Sequence, residues 1–333
     1  TISKNGIHEM IKKISAWIGA GMIVIGILAL SRNEATAAPE VSDETTRATM
    51  GMEIVNPEIP QKVDLCGETI SLDREDMYER YDRELTSMAY THGNTLAIIK
   101  RANRYFPILA PILKEEGVPL DMLYLACIES SLNNRARSGA SAAGLWQFMP
   151  ATGKEYGLEV NDSVDERYNT ELATRAACKF LKKSYAKYGD WATVAAAYNG
   201  GTGRISRELS SQLVDNALDL FLTEETSRYV FRILAMKAIM EHPSDYGFKL
   251  RADQLYMPIE CDTIEVNKPL ISWAKWAKEH GTDYMTLREL NPWIRGKGLP
   301  NKSGKTYRVA VPKKNALKRS ARDMTVFNPN WIN

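Results

Sequence analysis

Pro119-Leu120-Asp121-Met122-Leu123-Tyr124-Leu125-Ala126-Cys127-Ile128-Glu129-Ser130-Ser131 is the stretch on which the reading of this chain turns. Proline suits a first helical turn, where its missing N–H costs nothing. From Leu120 to Ile128 every residue but Asp121 is apolar or aromatic, and a segment apolar all round belongs in a core. A buried helix is therefore expected at the centre of the fold. Glu129 follows, with Ala126, Leu125 and Met122 at i−3, i−4 and i−7, so its carboxyl emerges from an apolar face. Such surroundings disfavour the ionised form and raise the pKa. A helix end near Asn133-Asn134 would push the same way through the negative end of its dipole. A glutamic acid held protonated near neutral pH is what a general acid needs. The competing account is a structural Glu satisfied by backbone donors.

The rest of the chain bounds the answer. At 333 residues, with 44% hydrophobic and 25% charged residues, two globular domains are expected. The formal net charge is +2, and beyond residue 37 the chain carries 39 charges of each sign. Nothing here points to a nucleic-acid partner or to electrostatic steering. The four histidines, His8, His92, His242 and His280, are scattered without metal spacing, so neither metal nor cofactor is implied.

Residues 1–37 read as a signal peptide or an N-terminal anchor. Lys4, Lys12 and Lys13 precede an apolar run from Ala16 to Leu30, and Ala35-Thr36-Ala37 offers a cleavage site. As Ile14 extends the run toward a short membrane span, both readings stay open. Residues 38–60 are a polar, proline-punctuated linker. Residues 61–93 form an N-terminal arm: a short hairpin or strap over Val63–Leu72, then a helix with Met77, Tyr81, Leu85 and Met88 on one stripe. Residues 94–250 are helical in pattern, with a helix expected over Thr170–Tyr188 and stopped by Gly189. After Leu250 the pattern changes: strand over 262–266, helices over 271–278 and 286–290, and a strand over 307–312.

Further signals accompany Glu129-Ser130. Ser138 lies nine residues on. Gly144-Leu145-Trp146-Gln147-Phe148-Met149-Pro150, Ala197-Tyr198-Asn199-Gly200-Gly201 and Glu225-Thr226-Ser227-Arg228-Tyr229-Val230 follow in that order. Together they resemble the signature of the lytic murein transglycosylases with a goose-lysozyme-like catalytic domain, in the membrane-bound lytic transglycosylase D group. The resemblance implies a mainly α chain: a lysozyme-like all-α catalytic domain over 94–250. The strand–helix–helix–strand region, 251–333, resembles a degenerate LysM module, a small α+β domain of a fold that binds N-acetylated glycans; here it either binds glycan or serves as a structural cap on the catalytic domain.

The resemblance also implies roles. Glu129 would be the catalytic acid and base. Ser138 would orient its carboxyl and contact the sugar acetamido group, and Gln147 would hydrogen-bond the ligand. Tyr198 would lie on or near the acid, Asn199 at the glycan and Tyr229 against substrate. Trp146, with Phe148, would either stack on a sugar face or fill the core. The implied reaction cleaves the β-1,4 bond between N-acetylmuramic acid and N-acetylglucosamine in peptidoglycan, leaving a 1,6-anhydro end. The implied place is the periplasm of a Gram-negative bacterium, with membrane association if the N-terminal segment is retained as an anchor.

Two alternatives stand beside this. A hydrolase would normally need a second carboxylate, about 5–5.5 Å away if retaining or about 6.5–9.5 Å if inverting; Asp162, Asp165 and Glu166 follow in sequence. A non-catalytic wall-binding protein would keep the fold alone. Of the four cysteines, Cys127 and Cys178 fall on core helices, and Cys66 and Cys261 flank the catalytic region, where a bridge between them is conceivable.

Overall fold

The structure, a computed structural model, describes residues 55–332. The expected signal or anchor at 1–37 and most of the linker at 38–60 lie outside the described residues. Among those described, no helix is long and apolar enough to cross a membrane.

The expected buried helix is present as α3 (Met122–Ser130), preceded by α1 (Glu75–Tyr90) and α2 (His92–Glu115). It starts later than the proline: Pro119 to Asp121 form a turn, with Met122 N–H donating to the Pro119 carbonyl. Met122, Leu123, Leu125, Ala126 and Cys127 are all buried. A fully buried large apolar side chain contributes about 1.5–3 kcal/mol, so this helix is held by its core rather than by propensity. It also stops sooner than expected. Ser131 and Leu132 both take left-handed backbone, φ 50° and 53°, a conformation that costs non-glycine residues and turns the chain sharply just after Glu129.

Around α3 stand α4 (Pro150–Glu155), α5 (Thr170–Tyr188), α6 (Trp191–Gly200), α7 (Thr202–Gln212) and α8 (Glu224–Glu241). Helix α8 packs against α1, α3 and α6, burying Tyr229, Ile233, Met236 and Met240. Helix α5 has the expected extent. Its cap is Asn169, whose side chain accepts the Leu172 N–H, and Gly189 ends it at φ 77°.

The arm forms a hairpin of β1 (Lys62–Leu65) and β2 (Glu68–Ser71), antiparallel across the Cys66-Gly67 turn. Both turn residues have positive φ, as two-residue hairpin loops require. Asp121, the polar exception in the apolar stretch, is explained here. Its carboxylate accepts the Cys66 N–H at 2.7 Å and pairs with Lys237 of α8 at 2.7 Å. The hairpin is thereby tied to the start of α3.

A second hydrophobic core lies in the C-terminal region. There β3 (Cys261–Val266) pairs antiparallel with β4 (Tyr307–Pro312), and α9 (Trp273–Glu279) and α10 (Tyr284–Leu290) lie between them in sequence. This is the expected strand–helix–helix–strand order. Its core of Trp273, Trp276, Leu287, Trp293 and Val309 takes in Ala143, Val164 and Tyr168 from the helical region. Residues on the C-terminal side of 251 contribute to both cores. Leu255 and Met257 pack into the first core, and after β4 the chain returns there with Trp331, 2% exposed, whose indole donates to the Met240 carbonyl at 2.7 Å.

All four cysteines are free. The conceivable Cys66–Cys261 bridge is absent: Cys66 sits at the hairpin turn beside Asp121, while the Cys261 thiol donates to the Ile259 carbonyl.

Candidate active site

Glu129 is the penultimate residue of α3 and is partly buried. The hydroxyl of Tyr229, itself 2% exposed, donates to its Oε1. Burial raises the Glu129 pKa to about 7, and the charge of Glu225 pushes the same way; the Tyr229 hydrogen bond and the positive charge of Arg232 only partly oppose this. Burial and the neighbouring Glu129 hold both Tyr229 and Tyr198 well above the usual phenol range, so both remain hydrogen-bond donors. The arrangement is an acid poised near neutrality, with a fixed neutral donor on one oxygen.

The other expected residues are distributed differently. Tyr198 lies near enough to Glu129 to feel its charge, but its hydroxyl donates to the Trp146 carbonyl at 2.7 Å instead of the acid. Trp146 is not a sugar platform. It is 0% exposed and its indole donates to Thr174 Oγ1 at 2.9 Å, so of the two readings offered for it the core one holds. Ser138 is exposed and does not orient Glu129; its Oγ accepts the Ala142 N–H at 3.0 Å in a turn. The Gln147 amide donates to the carbonyls of Gly144 at 2.8 Å and Ala136 at 3.3 Å. Asn199 is partly buried in the last turn of α6. Glu129 and Tyr229 are therefore in direct contact, while the nearby Tyr198 is bonded to the loop that carries Gln147.

That loop is unusually constrained. Gln147 has φ 47°, a left-handed conformation that persists only where surroundings impose it. Gly144 has φ 78°, and a Cβ there would overlap the Arg167 carbonyl oxygen, so glycine is required. Arg167, 5% exposed, donates through Nη1 to the carbonyls of Ser141 and Phe148 at 2.7 and 2.9 Å, and forms a two-pronged pair with Asp165.

The carboxylates weighed as partners of Glu129 are engaged elsewhere. Asp165 binds Arg167, Glu166 binds Lys305 at 2.6 Å, and Asp162 is exposed. The carboxylate whose charge does reach Glu129 is Glu225, in the first turn of α8. Read from the sequence, Glu225 is a structural residue that holds the helix start through backbone N–H groups; Arg232 drew no reading, although it lies three residues after Tyr229 and so on the same helical face.

Residues 107–217 match the transglycosylase SLT domain, and residues 262–315 match the soluble lytic transglycosylase C-terminal LysM-like domain. The chain carries a transglycosylase SLT domain. It is 31% identical over 243 residues to membrane-bound lytic murein transglycosylase D of Escherichia coli (strain K12), covering 72% of this chain and 52% of that relative. It is 42% identical over 92 residues to peptidoglycan transglycosylase gp16 of Escherichia phage T7, covering 27% of this chain and 7% of the relative. Among solved structures, the 70 kDa soluble lytic transglycosylase Slt70 of Escherichia coli is similar at 24% identity and a TM-score of 0.36, over 41% of this chain and 24% of that one. The chain spans about half the length of the first relative. Glu129, Ser138, Gln147, Tyr198 and Asn199 fall within the SLT match; Tyr229 and Arg232 lie beyond its end.

Removing the Tyr229 hydroxyl isolates its effect on Glu129. Because that hydrogen bond favours the carboxylate, Tyr229→Phe is expected to raise the Glu129 pKa further. With Glu129 as the acid, the alkaline limb of the pH–rate profile should move upward while kcat falls about tenfold, the low end for losing one hydrogen bond to a charged group, about 1.5 kcal/mol. An unmoved limb would show that Tyr229 does not bond the acid during turnover.

Proposed function

We propose that this chain is a peptidoglycan lytic transglycosylase with Glu129 as its single acid and base. The observation that carries this reading is a protonated-ready carboxyl, pKa about 7, held by Tyr229 at the end of a buried helix inside an SLT domain. In the first step Glu129 gives its proton to the oxygen of the β-1,4 bond as that bond breaks. The resulting carboxylate then takes the proton of the C6 hydroxyl as that oxygen attacks C1, which restores the acid. The product is a 1,6-anhydro-N-acetylmuramic acid end. One carboxyl serves both steps because the first leaves it in the form the second needs.

Ser138 and Gln147, from their loop, and Asn199, from the last turn of α6, would bind the glycan. The free Oε1 of Gln147 suits a sugar N–H or hydroxyl, since its NH2 is spent on the backbone. The envelope is the compartment that fits such a substrate, and residues 1–37 would direct the chain there.

Hydrolysis is the second reading, favoured by one observation: the exposed Glu225 acts electrostatically on Glu129 and could serve as a base for water. Digestion of purified peptidoglycan in water-18, followed by mass spectrometry, separates the two. Unlabelled anhydro ends are expected. Labelled reducing ends would instead make the protein a muramidase, and no fragments from a protein that still pellets with the wall would leave it a binding protein.

A further inference from the structure

A cavity of about 750 Å³ lies between the β3–β4 sheet and the helical region. Thr263 and Ala310 form one wall; they are register partners on the sheet face opposite the buried Val309 and Val311. Tyr105 and Ile108 of α2, with Asn134 just past the end of α3, form the other. Small-molecule sites typically measure about 300–1,000 Å³ and favour such junctions. One buried side-chain polar atom of this wall has no partner among the described residues: Asn134 Oδ1. Asn134 is 9% exposed, and its Nδ2 donates to Thr170 Oγ1 at 3.2 Å. Turning the amide over would only leave its NH2 group unpartnered instead. Either atom left unpaired is costly. Tyr105 adds a hydroxyl, which burial keeps neutral by raising its pKa. Charge in the lining is already accounted for. Lys305 pairs with Glu166 and Arg135 with Glu289, Arg104 donates to the Met257 carbonyl, and Glu171 and Arg308 are exposed. The cavity therefore suits a neutral molecule that carries an amide.

We propose that this junction is a second binding site, for a short N-acetylated sugar, built jointly by the helical region and the outer face of the sheet. An acetamido group offers both an N–H and a carbonyl, so it can satisfy Asn134 whichever way that amide is turned, and it can also meet the Tyr105 hydroxyl. Its methyl group suits the apolar wall of Ile108 and Ile259, and the ring hydroxyls suit the exposed polar rim. Glu129, Tyr229, Tyr198 and Gln147 do not belong to this wall, so the site is separate from the one that does the chemistry. The inference rests on the transglycosylase reading in its choice of ligand, since fragments of the glycan are the neutral amides that such an enzyme meets.

The test titrates the full chain, labelled at its isoleucine methyl groups, with di-N-acetylchitobiose and in parallel with cellobiose, which lacks the acetamido groups. Neither disaccharide contains muramic acid, so binding is read by NMR without turnover. The methyl resonances of Ile108 and Ile259 should move with di-N-acetylchitobiose, and cellobiose should bind at least about threefold more weakly, for want of the amide contact. Asn134→Leu should weaken di-N-acetylchitobiose by about three- to tenfold, the worth of one neutral hydrogen bond. Ala310→Phe, which fills the cavity and leaves the Asn134–Thr170 bond in place, should abolish the shifts and guards against a fold defect in the first variant. Unmoved Ile108 and Ile259, or shifts confined to Ile128 next to the acid, would overturn the second site. Equal affinity for cellobiose, or an affinity that survives Asn134→Leu, would overturn it as well. Fragment release from peptidoglycan by the same preparation decides the enzyme reading separately: its absence, with the Ile108 and Ile259 shifts present, would overturn that reading alone.

Discussion

Glu129→Gln is expected to reduce turnover of peptidoglycan by at least about a thousandfold, the upper range for a positioned general acid. The amide keeps the shape of the side chain and can still meet the Tyr229 hydroxyl, so binding to the wall should persist. The comparison is release of soluble fragments against co-sedimentation with purified wall. Turnover within tenfold of the unaltered protein would remove Glu129 from the mechanism. The same carboxyl sets the pH dependence. It must be protonated to act as acid, so activity should decline as pH rises through about 7.

The same substitution should act oppositely on stability, which it raises at high pH. The folded pKa of Glu129, about 7, lies above the ordinary 4.5, so the folded state binds the proton more tightly than the unfolded one. That preference stabilises the fold fully below about pH 4.5 and is lost as pH rises to about 7. At pH 8 the buried charge costs about 3 kcal/mol, which the glutamine does not carry. Glu129→Gln should therefore melt higher than the unaltered protein at pH 8 and nearly with it at pH 4.5. Equal melting at pH 8 would mean that the carboxyl is better solvated than its surroundings imply.

How much of this was legible beforehand differs by the range of the interactions. Helices such as Thr170–Tyr188 carry their own marks: a period, a capping side chain and a terminal glycine. The apolar run around Leu125 declared both a buried helix and the acid at its end. The partners of that acid were harder, because the Tyr229 contact spans 100 residues and no spacing encodes it. Tyr198 and Tyr229 are each tyrosines on helices beside the site, and only packing decides which hydroxyl reaches Glu129. Trp146 was ambiguous for a related reason, since an aromatic ring serves equally to stack on sugar or to fill a core. The shared core of Ala143, Val164 and Tyr168 with the C-terminal region had no local signature.

That shared core leads to the second large effect, at Arg167. The α10–β4 connection docks on residues 159–168: Asp165 N–H donates to the Trp293 carbonyl at 2.9 Å, Arg295 N–H to the Ser163 carbonyl at 2.9 Å, and Lys305 bridges Glu159 and Glu166. From this braced segment Arg167 reaches the loop carrying Gln147, through the Ser141 and Phe148 carbonyls. Its side chain and that of Asp165 are 6% and 9% exposed. Breaking a buried pair by removing one partner costs about 3–5 kcal/mol, because the other charge is left uncompensated. Arg167→Met should lower the melting temperature by roughly 10 °C, at about 2–4 °C per kcal/mol for a domain of this size. Removing Asp165 as well, in Arg167→Met with Asp165→Leu, should recover part of that stability, since the stranded charge goes with it. Activity should not recover, as the two carbonyl contacts that hold the strained Gln147 backbone remain lost. Thermal unfolding followed by circular dichroism, with turnover measured well below the midpoint, separates the two losses. A double variant that regained turnover along with stability would show that the loop holds its conformation unaided.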